Sequence, residues 1–137
     1  MKTLNLFVDT SYLLALYNPK DQYHKRAVAV KVKITLKHKL WITEAVLTEI
    51  GNSWSRVALR EKACILIENC YKLSSVTVIP SSDALFQKAF SLYCARKDKD
   101  WSLTDCMSFV VMQENRLTEA LTTDEHFQQA GFSALLF

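Results

Sequence analysis

Short apolar runs separated by polar punctuation recur along the whole chain, and their spacing predicts an alternation of strands and helices. Leu4 to Val8 reads as a short buried strand, and Asp9-Thr10-Ser11 after it supplies N-caps for a helix over Tyr12 to Tyr17 that stops at Asn18-Pro19. From Val28 to Leu40 the residues Val28, Val30, Val32, Ile34 and Leu36 alternate with polar or small ones, which predicts a strand. Leu40-Trp41-Ile42 is a further strand. Thr43 then caps an amphipathic helix to Leu59, and a second helix follows over Glu61 to Lys72. Val76 to Ile79 is a strand ended by Pro80. Ser81-Ser82-Asp83 caps a helix with Leu85, Phe86, Ala89 and Leu92 on one face, and Arg96 to Asp100 is a charged loop. Ser102-Leu103-Thr104-Asp105 has the spacing of a capping box ahead of a helix reaching Asn115. Ala120 to Thr122 is a strand, Asp124 to Gln129 a short helix ended by Gly131, and Ala134 to Phe137 a last strand. Such alternation argues for an α/β fold around a mostly parallel sheet, in one domain over residues 1–137.

Composition narrows the class. Half of the residues are apolar, while Gly and Pro number only two each, so the chain is globular and rich in regular elements. No apolar run approaches the length of a membrane span, and Met1-Lys2 leads into a segment too short for a signal peptide, so we expect no membrane partner and a cytoplasmic protein. Cys64, Cys70, Cys94 and Cys106 form no C-x-x-C pair and read as reduced core thiols. The net charge is +3, yet seven of the Lys and Arg residues fall between Lys20 and Lys39 against one acid, Asp21. That segment is either a phosphate-tracking patch or a solvated face.

Four carboxylates change the picture most. Asp9 closes Leu6-Phe7-Val8, Glu49 interrupts Val46-Leu47-Thr48-Glu49-Ile50, Asp105 opens an apolar stretch to Met112, and Asp124 follows Ala120 to Thr123. A carboxylate at the edge of a buried segment must be paired, hydrogen-bonded, protonated or bound to a cation. No Lys or Arg lies within five residues of Asp9 or Glu49. In a parallel sheet Asp9 and Asp124 would both sit beyond the carboxyl ends of strands, where ligands bind. Two such charges about 4 Å apart repel by roughly 4 kcal/mol at an effective dielectric near 20, so convergence demands protons or a cation. Oxygen donors point to Mg²⁺ or Mn²⁺. Each acid also has a purely local reading: Asp9 and Asp124 as N-caps, Asp105 as the inner member of a capping box, Glu49 as a solvated helical residue. His126, near Asp124, could orient a ligand, but beside Phe127 a packed or surface role is the commoner one. Trp41 and Trp54 read as core, with stacking on bases the alternative for them and for Trp101.

Phe7-Val8-Asp9-Thr10-Ser11-Tyr12-Leu13-Leu14-Ala15-Leu16 resembles the opening motif of PIN domains. Val46 to Glu49 resembles their second motif, Ser102 to Asp105 their third and Leu121 to Phe127 their fourth, in the same order. The likeness is strongest to VapC-type nucleases of bacterial toxin–antitoxin systems. It implies a three-layer α/β/α sandwich, a divalent-metal-dependent ribonuclease acting on RNA, an antitoxin as a separate chain, and a homodimer. It carries over Asp9, Glu49, Asp105 and Asp124 as the acidic metal site, with Thr10, Ser11 and Asn52 in support. It also implies a helix where Val28 to Leu36 alternates, and we follow the resemblance there. Alternatives are a PIN nuclease of RNA processing, a silent PIN-like binding module, or an Asp9-based phosphatase. Against the phosphatase, the position two residues after Asp9 is Ser11.

Overall fold

The computed structural model describes residues 1–137 and contains five strands and seven helices. In chain order they are β1 (Asn5–Val8), α1 (Thr10–Tyr17), α2 (His24–Lys33), β2 (Lys39–Thr43), α3 (Glu44–Ser53), α4 (Val57–Lys72), β3 (Val76–Ile79), α5 (Asp83–Ala95), α6 (Leu103–Glu114), β4 (Glu119–Leu121), α7 (Glu125–Gln129) and β5 (Ser133–Ala134). The strands form one sheet in the order β3-β2-β1-β4-β5, and every pair is parallel. Leu6, Phe7 and Val8 are all buried. Successive strand residues point to opposite faces, so helices must cover both sides of β1. This is the expected α/β/α sandwich.

The connectivity sets where a ligand can bind. From β1 the chain builds outward through β2 and β3, then crosses back to lay β4 on the other side of β1. The carboxyl ends of β1 and β4 therefore flank a topological switch point, the place where open parallel sheets leave a crevice. Register fixes the detail: Val8 is paired with Leu121, and Asp9 donates its N–H to the Leu121 carbonyl at 3.1 Å.

The alternation of Val28 to Leu36 does not make a strand; residues 24–33 are α2. Ala27 is buried, and Tyr23, Val30 and Ile34 pack against the core at helical spacing, while Val32 is 79% and Leu36 97% exposed. Three of the five apolar side chains that created the alternation, Val28, Val32 and Leu36, are on the solvent side. The single helix expected over Thr43 to Leu59 is interrupted after Ser53, and α4 restarts at Val57. Gly51-Asn52-Ser53 is a run of poor helix formers, which ends α3 there. The last strand is only Ser133–Ala134. All four cysteines are free, but Cys64 and Cys94 are exposed, so only part of the set is core. Trp101 is as buried as Trp54, and its ring is closed in edge-on against Phe109, so neither is available to a base. No helix is long and apolar enough to cross a membrane.

One acid besides Asp9 is buried, and its place in the sequence did not mark it. Glu119 opens β4 at the opposite edge of the sheet from Asp9 and accepts the backbone N–H groups of Lys2 and Thr3 at 2.9 and 2.6 Å, together with the Thr3 hydroxyl. The N-terminal ammonium lies 3.8 Å away. Burial pushes its pKa up, but the Thr3 and Lys2 bonds and the terminal charge outweigh it, and the net shift is downward.

Candidate active site

Asp9, Glu49, Asp105 and Asp124 line one open pocket at the switch point, with Thr10, Ser11, Asn52, Ser53, Asp100, Ser102 and His126. Leu14 is its one apolar wall, and no Lys or Arg reaches it. The local rules that shape each helix end deliver the acids. Asp9 is the N-cap of α1, Asp124 the N-cap of α7, and Asp105 the inner residue of the α6 capping box with Ser102. Thr43 caps α3, setting the phase that turns Glu49, Asn52 and Ser53 toward the pocket. The capping readings are correct, and they do not compete with a functional one.

The reason lies in how hydrogen bonds divide between carboxylate oxygens. Asp9 Oδ2 accepts from the Ser11 hydroxyl at 2.6 Å and the Thr122 hydroxyl at 2.8 Å, with the Ser11 N–H at 3.4 Å. Both hydroxyls are held in turn, Ser11 by the Thr123 N–H and Thr122 by the Asp124 N–H, each at 3.0 Å. No protein hydrogen bond reaches Asp9 Oδ1. Glu49 Oε1 accepts from the Thr10 hydroxyl at 2.5 Å, and Oε2 has no partner. Asp105 Oδ2 accepts the Ser102 N–H at 3.1 Å and faces His126 Nδ1 at 3.2 Å, leaving Oδ1 without one. Asp124 Oδ1 accepts the His126 N–H at 2.9 Å, and its Oδ2 lies 3.3 Å from His126 Nδ1. In three of the four acids, all bonding falls on one oxygen and the other is left over.

Electrostatics agree with that division. Asp9 is 5% exposed, and its pKa is raised to about 6. Burial is the main cause, opposed by the Ser11 and Thr122 bonds and reinforced by the negative charge of Asp105. The bonds it does receive are insufficient to hold it as an ordinary carboxylate. A cation in the pocket would complete it, and the donor set fits one: oxygen ligands with pinned orientation and no competing ammonium or guanidinium.

His126 carries more weight than its sequence reading gave it. Its Nδ1 stands within reach of both Asp105 and Asp124, and ligand atoms of the three lie within 4.8 Å of one another. Its nearness to Asp124 in the chain was the available signal; its nearness to Asp105 was not. Thr122, fully buried and bonded to Asp9, was missed as a supporting residue. Thr10 and Ser11 support the acids as the resemblance implied, whereas Asn52 lines the pocket without holding an acid. The seven basic residues between Lys20 and Lys39 are absent from the lining.

Comparison with known proteins accords with this geometry. The family profile described as PIN domain matches residues 6–133. The 23S rRNA-specific endonuclease VapC20 of Mycobacterium tuberculosis is 30% identical over 132 residues, covering 93% of this chain and 95% of that protein. Among solved structures, VapC20 of M. tuberculosis, described as a Sarcin-Ricin loop cleaving toxin, superposes with a TM-score of 0.81 at 24% identity over 93% of this chain and 95% of its own. FitAcB of Neisseria gonorrhoeae gives 0.65 at 18% identity over 94% of each chain. The DNA-bound VapBC of Salmonella typhimurium gives 0.60 at 14% identity over 96% and 97%. The chain belongs to the PIN domain family, and within it to the VapC-type nucleases.

Proposed function

We propose that this single domain, residues 1–137, is a divalent-metal-dependent endoribonuclease that hydrolyses RNA phosphodiester bonds, and that it is the toxin of a toxin–antitoxin pair. The observation that carries the reading is the split use of the carboxylate oxygens: Asp9, Glu49 and Asp105 each offer an oxygen that no protein group satisfies. Asp9, Glu49, Asp105 and Asp124 are the residues that would hold Mg²⁺ or Mn²⁺, and all four are the catalytic acids of this reading. Such an ion, when bound, supplies Lewis acidity toward the phosphate and lowers the pKa of water.

The chain's own groups do the positioning. Ser11 and Thr122 fix the Asp9 carboxylate plane, and Thr10 fixes that of Glu49. The Ser102 N–H holds Asp105. His126 Nδ1 stands 3.2 Å from Asp105 and 3.3 Å from Asp124, so a hydrogen bond from it to either fixes how the two carboxylates face each other.

An acidic pocket that cuts RNA in its own cell needs a silencer, and a separate antitoxin chain is the partner this reading requires; relatives named VapC20 and VapBC support it. A homodimer is part of the same reading. It is supported by Phe86 and Phe90, which stack at 6.2 Å on α5 yet remain 41% and 44% exposed. Four free thiols suit a cytoplasmic setting. The test is cleavage of a labelled single-stranded RNA by the purified protein. Cutting should require Mg²⁺ or Mn²⁺, stop on chelation and disappear in Asp9→Asn. Equal cutting by wild type and variant would assign it to a contaminant and remove the proposal.

A further inference from the structure

An acid-lined pocket repels the strand it is meant to cut, and a single bound ion offsets only part of that repulsion. The flanking phosphates therefore need cations outside the pocket. The Lys20 to Lys39 segment lines neither the pocket nor the cleft beside it. That cleft does contain cations. It is walled by Arg96, Lys97, Lys99 and Trp101 and shares Asp100 and Ser102 with the acidic pocket, so the two depressions are adjacent.

Within the cleft the three cations are not equivalent. Arg96 is spoken for: its Nε and Nη2 donate to the two Asp98 oxygens at 3.0 and 3.1 Å, and its guanidinium lies 4.9 Å from the Trp101 ring centre. Trp101 is a fixed floor, buried and donating its indole N–H to Gln129 at 3.0 Å. Lys97 is exposed, Lys99 is half-buried, and neither takes part in an ion pair. The turn that carries them is closed by the Lys99 N–H bonding to the Arg96 carbonyl at 3.1 Å. Three residues on, Ser102 holds Asp105 through its backbone N–H. Three residues span at most about 11 Å, which ties Lys99 closely to the acidic centre, and Lys97, five residues from Ser102, lies at most about 18 Å along the chain.

We propose that this cleft is the backbone track for the RNA strand on one side of the cut, with Lys97 and Lys99 contacting its phosphates. Arg96 and Asp98 neutralise each other and shape the turn, and Trp101 stiffens its floor. The inference rests on the ribonuclease reading but is tested by binding, which needs no cleavage.

Binding of a labelled single-stranded RNA is measured with Mg²⁺ at increasing salt, on an Asp9→Asn background so that the strand survives. Each phosphate contact contributes roughly 0.7 to the slope of log affinity against log salt on a single strand, so K97Q/K99Q should flatten it by about 1.4. Neither lysine makes a bond the fold depends on, and the far-ultraviolet spectrum should not change. K31Q/K33Q/K37Q should leave the slope as it was. An unchanged slope in K97Q/K99Q overturns the proposal, as does a larger loss in the α2 triple variant. So does an RNA slope that stays put while binding of poly-glutamate, an acidic polypeptide probe, is altered by K97Q/K99Q. A protein that binds RNA with the expected slope but never cuts it would retire the ribonuclease reading and leave the cleft standing.

Discussion

Asp9, just past the end of β1, and Glu119, at the start of β4, each expose only 5% of their surface, though Asp9 lies deeper among protein atoms, and they have opposite fates. Glu119 sits at the amino edge, where two backbone N–H groups, a hydroxyl and the N-terminal ammonium surround it and its pKa falls. Asp9 sits at the carboxyl edge with two hydroxyls on a single oxygen, and its pKa rises to about 6. Burial alone therefore does not mark a functional acid. What marks it is the shortfall between the cost of burial and the compensation the protein provides. Glu119 has been paired into a structural clasp, while Asp9 has been left incomplete at the one edge where a parallel sheet opens to ligand.

The largest separation between the two should be in turnover. Loss of hydrogen-bonding partners around metal ligands typically costs 10–100-fold, so Asp9→Asn, which removes a ligand's charge outright, should lower RNA cleavage by more than about a hundredfold. Glu119→Gln should leave the rate per folded molecule close to wild type. Rates normalised to folded protein by circular dichroism check this, and a comparable loss in both variants would erase the functional distinction.

Dependence on pH sharpens the same contrast, because the signs are opposite. For Asp9 the folded pKa lies above the unfolded one, so between about pH 4 and 6 the native state holds the extra proton and stability falls as pH rises. A carboxyl raised from its ordinary value to about 6 forfeits roughly 2–3 kcal/mol in metal-free protein once it ionises. Glu119 has the lowered pKa, so its contribution is present above the unfolded value and is lost on acidification through the folded one. Denaturant melts in chelator should thus show wild type losing stability from pH 4 to 6, with Asp9→Asn nearly flat over that window. An Asp9→Asn profile parallel to wild type would place the titration elsewhere.

Stability near neutral pH gives a third division. Glu119→Gln keeps the shape but removes the charge that the N-terminal segment was bonded to, and should cost about 2 kcal/mol. Asp9→Asn in chelator should be no less stable than wild type. Melting temperatures of both variants decide it, and an Asp9→Asn protein as weakened as Glu119→Gln would make Asp9 structural too.

Local signals were legible in the sequence because their causes span only a few residues. Thr43, Ser102 and Asp124 cap where the sequence placed them, and Asp9 and Ser82 are the caps taken from the groups Asp9-Thr10-Ser11 and Ser81-Ser82-Asp83. The fold class followed from the strand and helix alternation, while the convergence of the acids rested on topology and on the likeness to PIN domains. Partners far apart in the chain left no local trace. Thr10 finds Glu49 across 39 positions, Thr122 finds Asp9 across 113, and Thr3 finds Glu119 across 116. Pattern also misled where solvent-facing valines imitated a strand in α2, since periodicity records which residues are apolar and not which of them are covered.

The smallest change in metal-free stability falls on Asp105, which stands between the two extremes. Its Oδ2 completes the α6 capping box with the Ser102 N–H, as Glu119 completes its clasp, while its Oδ1 has no partner and its charge adds to the cost of ionising Asp9. Neutralising it removes that repulsion but weakens a charge-assisted bond at the helix start, and the two changes are each within about 1 kcal/mol. Asn can keep its oxygen on the Ser102 N–H, so Asp105→Asn without metal should melt at or slightly above wild type. Metal should then stabilise wild type more than the variant, by about 2.7 kcal/mol at a hundredfold excess over the dissociation constant if the variant no longer binds. Paired melts with and without Mg²⁺ provide the measurement. A clearly destabilised apo variant with an undiminished response to metal would make Asp105 a cap and nothing more, and would move it to the side of Glu119.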